Sequence, residues 1–272
     1  MDLEICKQYE IIDAHAHIFP EKIADNATVN IGKFYELPMG NSGISKKLIE
    51  NGQEVGVKKY LVCSTATTPH QVKSINDFIA RECAENPCFI GFGTTHPKSE
   101  NMESDIKQIM ELGLKGVKLH PDFQMFEADS PEAYKIYEII EGVLPLLIHC
   151  GDERYEYSSP KRIAKLHKDF PKLKLQAAHF GGYSQWDEAE EYLTGFGDIK
   201  VDVCSSLAFM SPERAKQLIY AYGVENCFYG SDFPMWSNKE ELERFFAIGL
   251  SEYENQRILS KNFIEFMGFE KL

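Results

Sequence analysis

Eight short, β-rich apolar runs recur at regular intervals along the chain, and that recurrence constrains the fold more than any other feature. They span 11–17, 59–64, 88–95, 114–120, 145–150, 173–179, 199–204 and 227–231. Each reads as near-continuous hydrophobic sequence, which suits strands buried on both faces. Helical patterns lie between them. Val72, Ile75, Phe78, Ile79 and Cys83 recur at helical spacing, as do Ile106, Ile109 and Met110. Ser130-Pro131-Glu132 and Ser211-Pro212-Glu213 each place an N-cap before a proline in the first turn. Two more helical patterns close the chain over 240–248 and 252–267. Strands that alternate with helices are parallel, because parallel neighbours need a crossover. Eight such units predict an α/β fold, a closed (β/α)8 TIM barrel, as one domain over residues 1–272. The rival is an open doubly wound sheet. That fold usually carries a glycine-rich phosphate turn after its first strand, and here the first strand ends in histidines.

Composition narrows the function. A net charge of -13 speaks against nucleic acid, whose phosphates want a basic surface. No run of apolar residues is long enough for a membrane span. The acidic start, Met1-Asp2-Leu3-Glu4, lacks the pattern of a signal peptide. The seven cysteines form no CxxC pair and fall mostly in apolar runs, which suits reduced, buried thiols. A cytoplasmic enzyme with a small-molecule substrate is the expectation.

Function in such a barrel lies where strands end. The first run finishes Asp13-Ala14-His15-Ala16-His17, and residues two apart on a strand share a face. His15 and His17 can therefore aim two imidazoles at one point, half of a metal site. Later runs finish in Lys118-Leu119-His120, His149-Cys150-Gly151-Asp152, His179-Phe180-Gly181-Gly182 and Ser231-Asp232-Phe233-Pro234. Six of the eight histidines lie at proposed strand ends. Cys150 follows His149 directly, so it points the opposite way and reads as core. Imidazoles and a carboxylate can hold a divalent cation while leaving a position for water or substrate, and such a cation activates water near neutral pH. One more histidine can move the proton.

These motifs, His-x-His, Gly-Val-Lys-Leu-His-Pro, Ile-His-Cys-Gly-Asp, Ala-His-Phe-Gly-Gly and Gly-Ser-Asp-Phe-Pro, appear in the strand order of the amidohydrolase superfamily. The chain resembles its amidohydrolase-2 branch over about its whole length. That branch includes aminocarboxymuconate semialdehyde decarboxylase and related metal-dependent hydrolases and decarboxylases. The resemblance implies that His15, His17, His149 and Asp232 hold one divalent ion, zinc first, with manganese, cobalt or iron as alternatives. It implies that His179 is the acid/base group, and that Asp232 both touches the metal and accepts a proton. A homodimer is an expectation at the level of the family. In some superfamily members a lysine on strand four bridges two metals. Lys118 could be that residue, but it lies two residues short of the strand end, and it is expected instead to be a buried charge paired with a carboxylate, with one ion in the site. His120, nearer the mouth, is expected to bind substrate.

The substrate is written more faintly. Arg154 could clamp a carboxylate through its planar fork. Tyr155 and Trp236 could wall a pocket for a planar group. Residues 19–41 are expected to form an ordered loop over the mouth, contributing Phe34 and Tyr35. That segment holds Lys22 and Lys33 but no arginine, whereas the branch's muconate-pathway decarboxylase is expected to bind a carboxylate with an arginine from there. Hydrolysis of an amide, lactone or ester bond in a small carboxylated molecule is therefore the leading reading. Non-oxidative decarboxylation of an unsaturated or aromatic acid is the alternative. A barrel that binds but no longer catalyses is a third reading, which the intact ligand set argues against.

Overall fold

The computed structural model describes residues 5–270. It begins with β1 (Ile11–His17), α1 (Glu21–Tyr35), α2 (Ser45–Glu54), β2 (Val57–Cys63) and α3 (Val72–Glu85). Then come β3 (Phe89–Gly91), β4 (Gly93–Thr94), α4 (Met102–Glu111), β5 (Val117–Leu119), α5 (Pro121–Gln124), α6 (Pro131–Ile140) and β6 (Leu146–Ile148). The rest is α7 (Pro160–Asp169), β7 (Leu175–Ala177), α8 (Trp186–Leu193), β8 (Lys200–Asp202), α9 (Pro212–Tyr222), β9 (Cys227–Phe228), α10 (Asn238–Ala247), α11 (Glu252–Gln256) and α12 (Asn262–Met267).

All eight expected strands are present, in sequence order and parallel. β3 and β4 are two halves of one barrel strand that changes partner at Phe92. The Phe92 N–H donates to Val62 on one side, and the next amide, Gly93, donates to Gly116 on the other. The cylinder is completed between β1 and the chain after β9. Ala14 donates to the Tyr229 carbonyl, Asp232 donates to the His15 carbonyl, and Ala16 pairs with Phe233. The fold is a (β/α)8 barrel.

Strand alternation sorts the core into two layers. Val117, Leu119, Leu146, Ile148, Leu175, Ala177 and Val201 pack outward under the helices. Ile12, Ala14, Leu61, Cys63, Phe92, Leu147 and Phe228 fill the interior, with Phe263 and Phe266 of α12 packed against them. β1 changes parity. Ala14 packs inside the barrel and Ala16 outside, and the switch falls at a register shift between Asp13 and Ala16. Such a bulge re-aims the side chains that follow it, and those are His15 and His17.

The expected caps hold: Ser130 Oγ accepts from Ala133 N, and Ser211 Oγ from Arg214 N. Residues 19–41 differ from expectation. They form a 15-residue helix, α1, where a loop was expected. Its buried positions are Ala24, Thr28 and Gly32, four apart but small, so they leave no stripe of large apolar residues to read. A Cβ on Gly32 would lie 2.8 Å from the Leu37 carbonyl. Cys150 is buried in the outer core, and none of the seven cysteines forms a disulfide. Among the described residues, no helix is long and apolar enough to cross a membrane.

Candidate metal centre

At the C-terminal rim of the barrel, His15 Nε2 and His17 Nε2 lie 3.1 Å apart. Asp232 Oδ1 is 3.4 Å from His17 Nε2 and 3.7 Å from His15 Nε2. Three of the four proposed ligands thus face one another across the seam that joins β1 to the end of the barrel. The fourth, His149, follows β6. It meets the group through His179: the rings of His149 and His179 are 5.0 Å apart, and those of His179 and His15 are 5.2 Å apart.

Hydrogen bonds select the free nitrogen of each ring. His15 Nδ1 is 3.1 Å from Asp202 Oδ2, so Nδ1 carries the proton and Nε2 is left with its lone pair. His149 Nε2 donates to the Gly151 carbonyl at 2.9 Å, which leaves Nδ1. His179 Nδ1 donates to the Cys204 carbonyl at 3.0 Å, which leaves Nε2. The Gly151 carbonyl is in reach because the backbone there is left-handed, with φ of 78°, and a Cβ would lie 2.6 Å from the Gly182 and Tyr183 backbone.

Charge states suit a cation. Burial pushes His15 down to about 4, and burial pushes His149 well below the ordinary imidazole range. Burial would raise Asp232, but its hydrogen bond to His17 and the nearby histidines outweigh it and hold the carboxylate ionised. In His17, burial opposes charge but is outweighed by Cys63 and Asp232, which lift the imidazole to about 9. A proton on His17 is what a divalent cation would displace. Neutral imidazoles with outward lone pairs and one ionised carboxylate make a donor set that fits a divalent metal.

Several supporting residues escaped the sequence reading. Asp202, inside β8, is the chief one. Its Oδ2 receives His15 Nδ1 and Gln176 Nε2, and its Oδ1 receives the His179 amide and the Cys204 thiol. The only available signal was a lone carboxylate in an apolar strand. Ser205 Oγ donates to Asp232 Oδ2 at 2.5 Å and accepts from Trp236 Nε1 at 3.1 Å. Asp232, His179 and Ser205 all hold left-handed φ values of 53°, 61° and 51°. Non-glycine residues so placed carry strain, which gathers at functional sites.

The remaining expected residues lie as follows. Lys118 is fully buried, and no carboxylate pairs with it among the described residues. Its Nζ instead lies 3.0 Å from His15 Nε2. The expected carboxylate partner is absent because the interior carboxylate at this level, Asp202, is taken up by His15, Gln176, His179 and Cys204. His120 stacks between Phe123 and His149, at 3.8 and 3.9 Å, and its Nε2 is 3.0 Å from the Tyr35 hydroxyl. His120, Asp122 and His149 also form a close polar trio. The two rings are parallel within 7°, however, so their in-plane lone pairs do not converge on one ion. Arg154 offers no free fork. Its Nε and Nη2 bond Asp152, and its Nη1 donates to the Phe34 carbonyl. Tyr155 sits at the rim against Phe34, with rings 5.7 Å apart. Trp236 lies under the Arg244 guanidinium at 4.4 Å.

The sequence pattern of the amidohydrolase family (Amidohydro_2) matches residues 12–269. The chain belongs to the amidohydrolase family. Solved structures of similar fold accompany this amidohydrolase. An uncharacterized TIM-barrel protein of Bordetella bronchiseptica superposes with a TM-score of 0.77 at 14% identity, covering 95% of this chain and 98% of that one. The 5-carboxyvanillate decarboxylase of Novosphingobium aromaticivorans, complexed with manganese and 4-hydroxy-3-methoxy-5-nitrobenzoic acid, gives 0.73 at 17% identity, covering 96% of each chain. A putative 2-pyrone-4,6-dicarboxylic acid hydrolase of Pseudomonas putida gives 0.68 at 19% identity, covering 97% of this chain and 99% of that one.

Proposed function

We propose that this amidohydrolase is a metal-dependent, non-oxidative decarboxylase of a small aromatic or unsaturated acid. The observation that carries this reading is the aromatic enclosure above the histidines. Tyr35 meets Tyr183 at 5.3 Å, Tyr183 meets Phe209 at 5.9 Å, and Phe209 meets Trp236 at 6.0 Å. Rings in such walls receive a planar substrate by stacking and edge contacts. The likeness to a carboxyvanillate decarboxylase supports the same choice.

His15, His17, His149 and Asp232 would hold the ion, zinc or manganese, which supplies a Lewis-acid anchor for a substrate oxygen. The chain's own residues do the rest. The bond from the substrate carbon to its carboxylate breaks, the electron pair stays on that carbon, and CO2 leaves. His179, as the imidazolium, gives its Nε2 proton to the carbon while its Nδ1 proton stays committed to the Cys204 carbonyl, and solvent restores the Nε2 proton after product leaves. Asp202 holds the His179 amide at 2.9 Å and so fixes where that ring stands.

Hydrolysis of an amide, lactone or ester bond is the second reading, favoured by the likeness to a pyrone hydrolase. Asp232 would then accept the proton of the attacking water and His179 would serve the leaving group. One assay separates them. Manganese-loaded protein is given 5-carboxyvanillate, 2,6-dihydroxybenzoate and 2-pyrone-4,6-dicarboxylate in heavy water. CO2 release with one deuteron at the vacated carbon is expected, and His179→Asn should lower kcat by about 100-fold or more. Pyrone opening with no CO2 from either acid would overturn the decarboxylase reading.

A further inference from the structure

The Lys118 Nζ stands in the barrel interior with a single hydrogen-bond partner among the described residues, His15 Nε2 at 3.0 Å. A buried ammonium without a counter-charge is costly. The lone pair it uses is the one His15 has to spare, since His15 Nδ1 faces Asp202 at 3.1 Å. It is also the lone pair that a cation held by His15 would take. One lone pair cannot serve both. With the cation bound, Lys118 loses its acceptor and stands next to a second positive charge, while Asp202 remains engaged by His15, Gln176, His179 and Cys204. An anionic oxygen placed between the two positive centres satisfies both.

We propose that Lys118 contacts the substrate: with the cation at His15 it forms a receptor for an anionic oxygen, a carboxylate or phenolate, and so restricts the site to anionic substrates. The inference rests on the metal reading above and names the substrate class of that same site.

Wild type and Lys118→Met are compared in two titrations of the full chain. Mn2+ alone is titrated into metal-free protein by calorimetry. It is expected to bind the variant at least as tightly as wild type, because methionine takes no lone pair from His15 and carries no charge. The chromophoric probe 4-hydroxy-3-methoxy-5-nitrobenzoate is then titrated into manganese-loaded protein and followed by absorbance. It is expected to bind the variant about 10- to 100-fold more weakly, as for the loss of a hydrogen bond between charged groups. Unchanged probe affinity overturns the proposal. Loss of Mn2+ and probe together also overturns it, since that is the signature of a lysine that only holds the site in shape. If the methionine variant does not fold, as judged by circular dichroism, Lys118→Gln is read by the same two titrations. A manganese-loaded wild type that ignores the probe overturns the Lys118 proposal alone. A wild type that takes up no Mn2+ overturns the metal reading beneath it.

Discussion

At the scale of the residue, the site is organised around His15, whose two ring nitrogens face opposite charges: Asp202 at Nδ1 and Lys118 at Nε2. The carboxylate behind a metal-binding imidazole raises its basicity and fixes its tautomer. Asp202→Asn is therefore expected to weaken Mn2+ binding by about 10- to 100-fold, measured by calorimetry. Unchanged affinity would show that Asp202 only fills space. The histidines also set a pH dependence. Burial lowers His15 to about 4 and lowers His120 and His149 well below 6.5. Bases with depressed folded values bind fewer protons folded than unfolded. They contribute stability that is present above pH 6.5 and is lost as pH falls toward 4. Metal-free His120→Gln should therefore lose melting temperature less steeply than wild type over that window, as followed by circular dichroism. A slope equal to wild type would remove His120 from the linkage. Why Asp202 was missed in the sequence is plain at this scale. A strand buried on both faces reads as continuous apolar sequence, and a single polar residue in it carries no mark of which histidine it will meet.

At the scale of the element, α1 is the part least legible in advance. Its buried face is made of Ala24, Thr28 and Gly32, so the helix docks closely without large side chains. Its end is held by Arg154, which donates to the Phe34 carbonyl and lies 4.7 Å over the Phe34 ring. Asp152 fills the rest of the guanidinium. This latch places Tyr35 against His120. Arg154→Met should speed amide hydrogen exchange across 21–35 while leaving the barrel strands unchanged, read by mass spectrometry. If exchange in α1 is unaltered, the arginine is not a latch, and a direct role with substrate returns. The strands and the capped helices were legible because their signals are local: two- and 3.6-residue periodicities, and serine before proline. From the sequence, the Arg154 fork is expected to clamp a substrate carboxylate. Its carboxylate is one of the chain's own, two residues away.

At the scale of the whole molecule, the candidate metal centre lies on the seam that completes the cylinder. His15 and His17 come from the first strand and Asp232 from just beyond the last, and Asp13 ties the same two segments through Ser231. A cation there links the beginning of the barrel to its end, so binding and folding are coupled. At Mn2+ near 100 times its Kd, stabilisation is about 2.7 kcal/mol. For a chain of this length that is roughly 5–10 °C in melting temperature. The shift should vanish with a chelator and with Asp232→Asn. A shift that survives Asp232→Asn would place the ion elsewhere.

The sequence by itself determined the barrel and the rim on which its chemistry-bearing side chains stand, because strand periodicity, alternation with helices and position at a strand end are all properties of neighbouring residues. Only the tertiary structure decided what each of those side chains faces. Asp202 lies 187 residues from His15 and Lys118 lies 103 from it. Closing a cylinder brings such positions together through strand stagger and register shifts in β1, and neither is written in the spacing of residues along the chain.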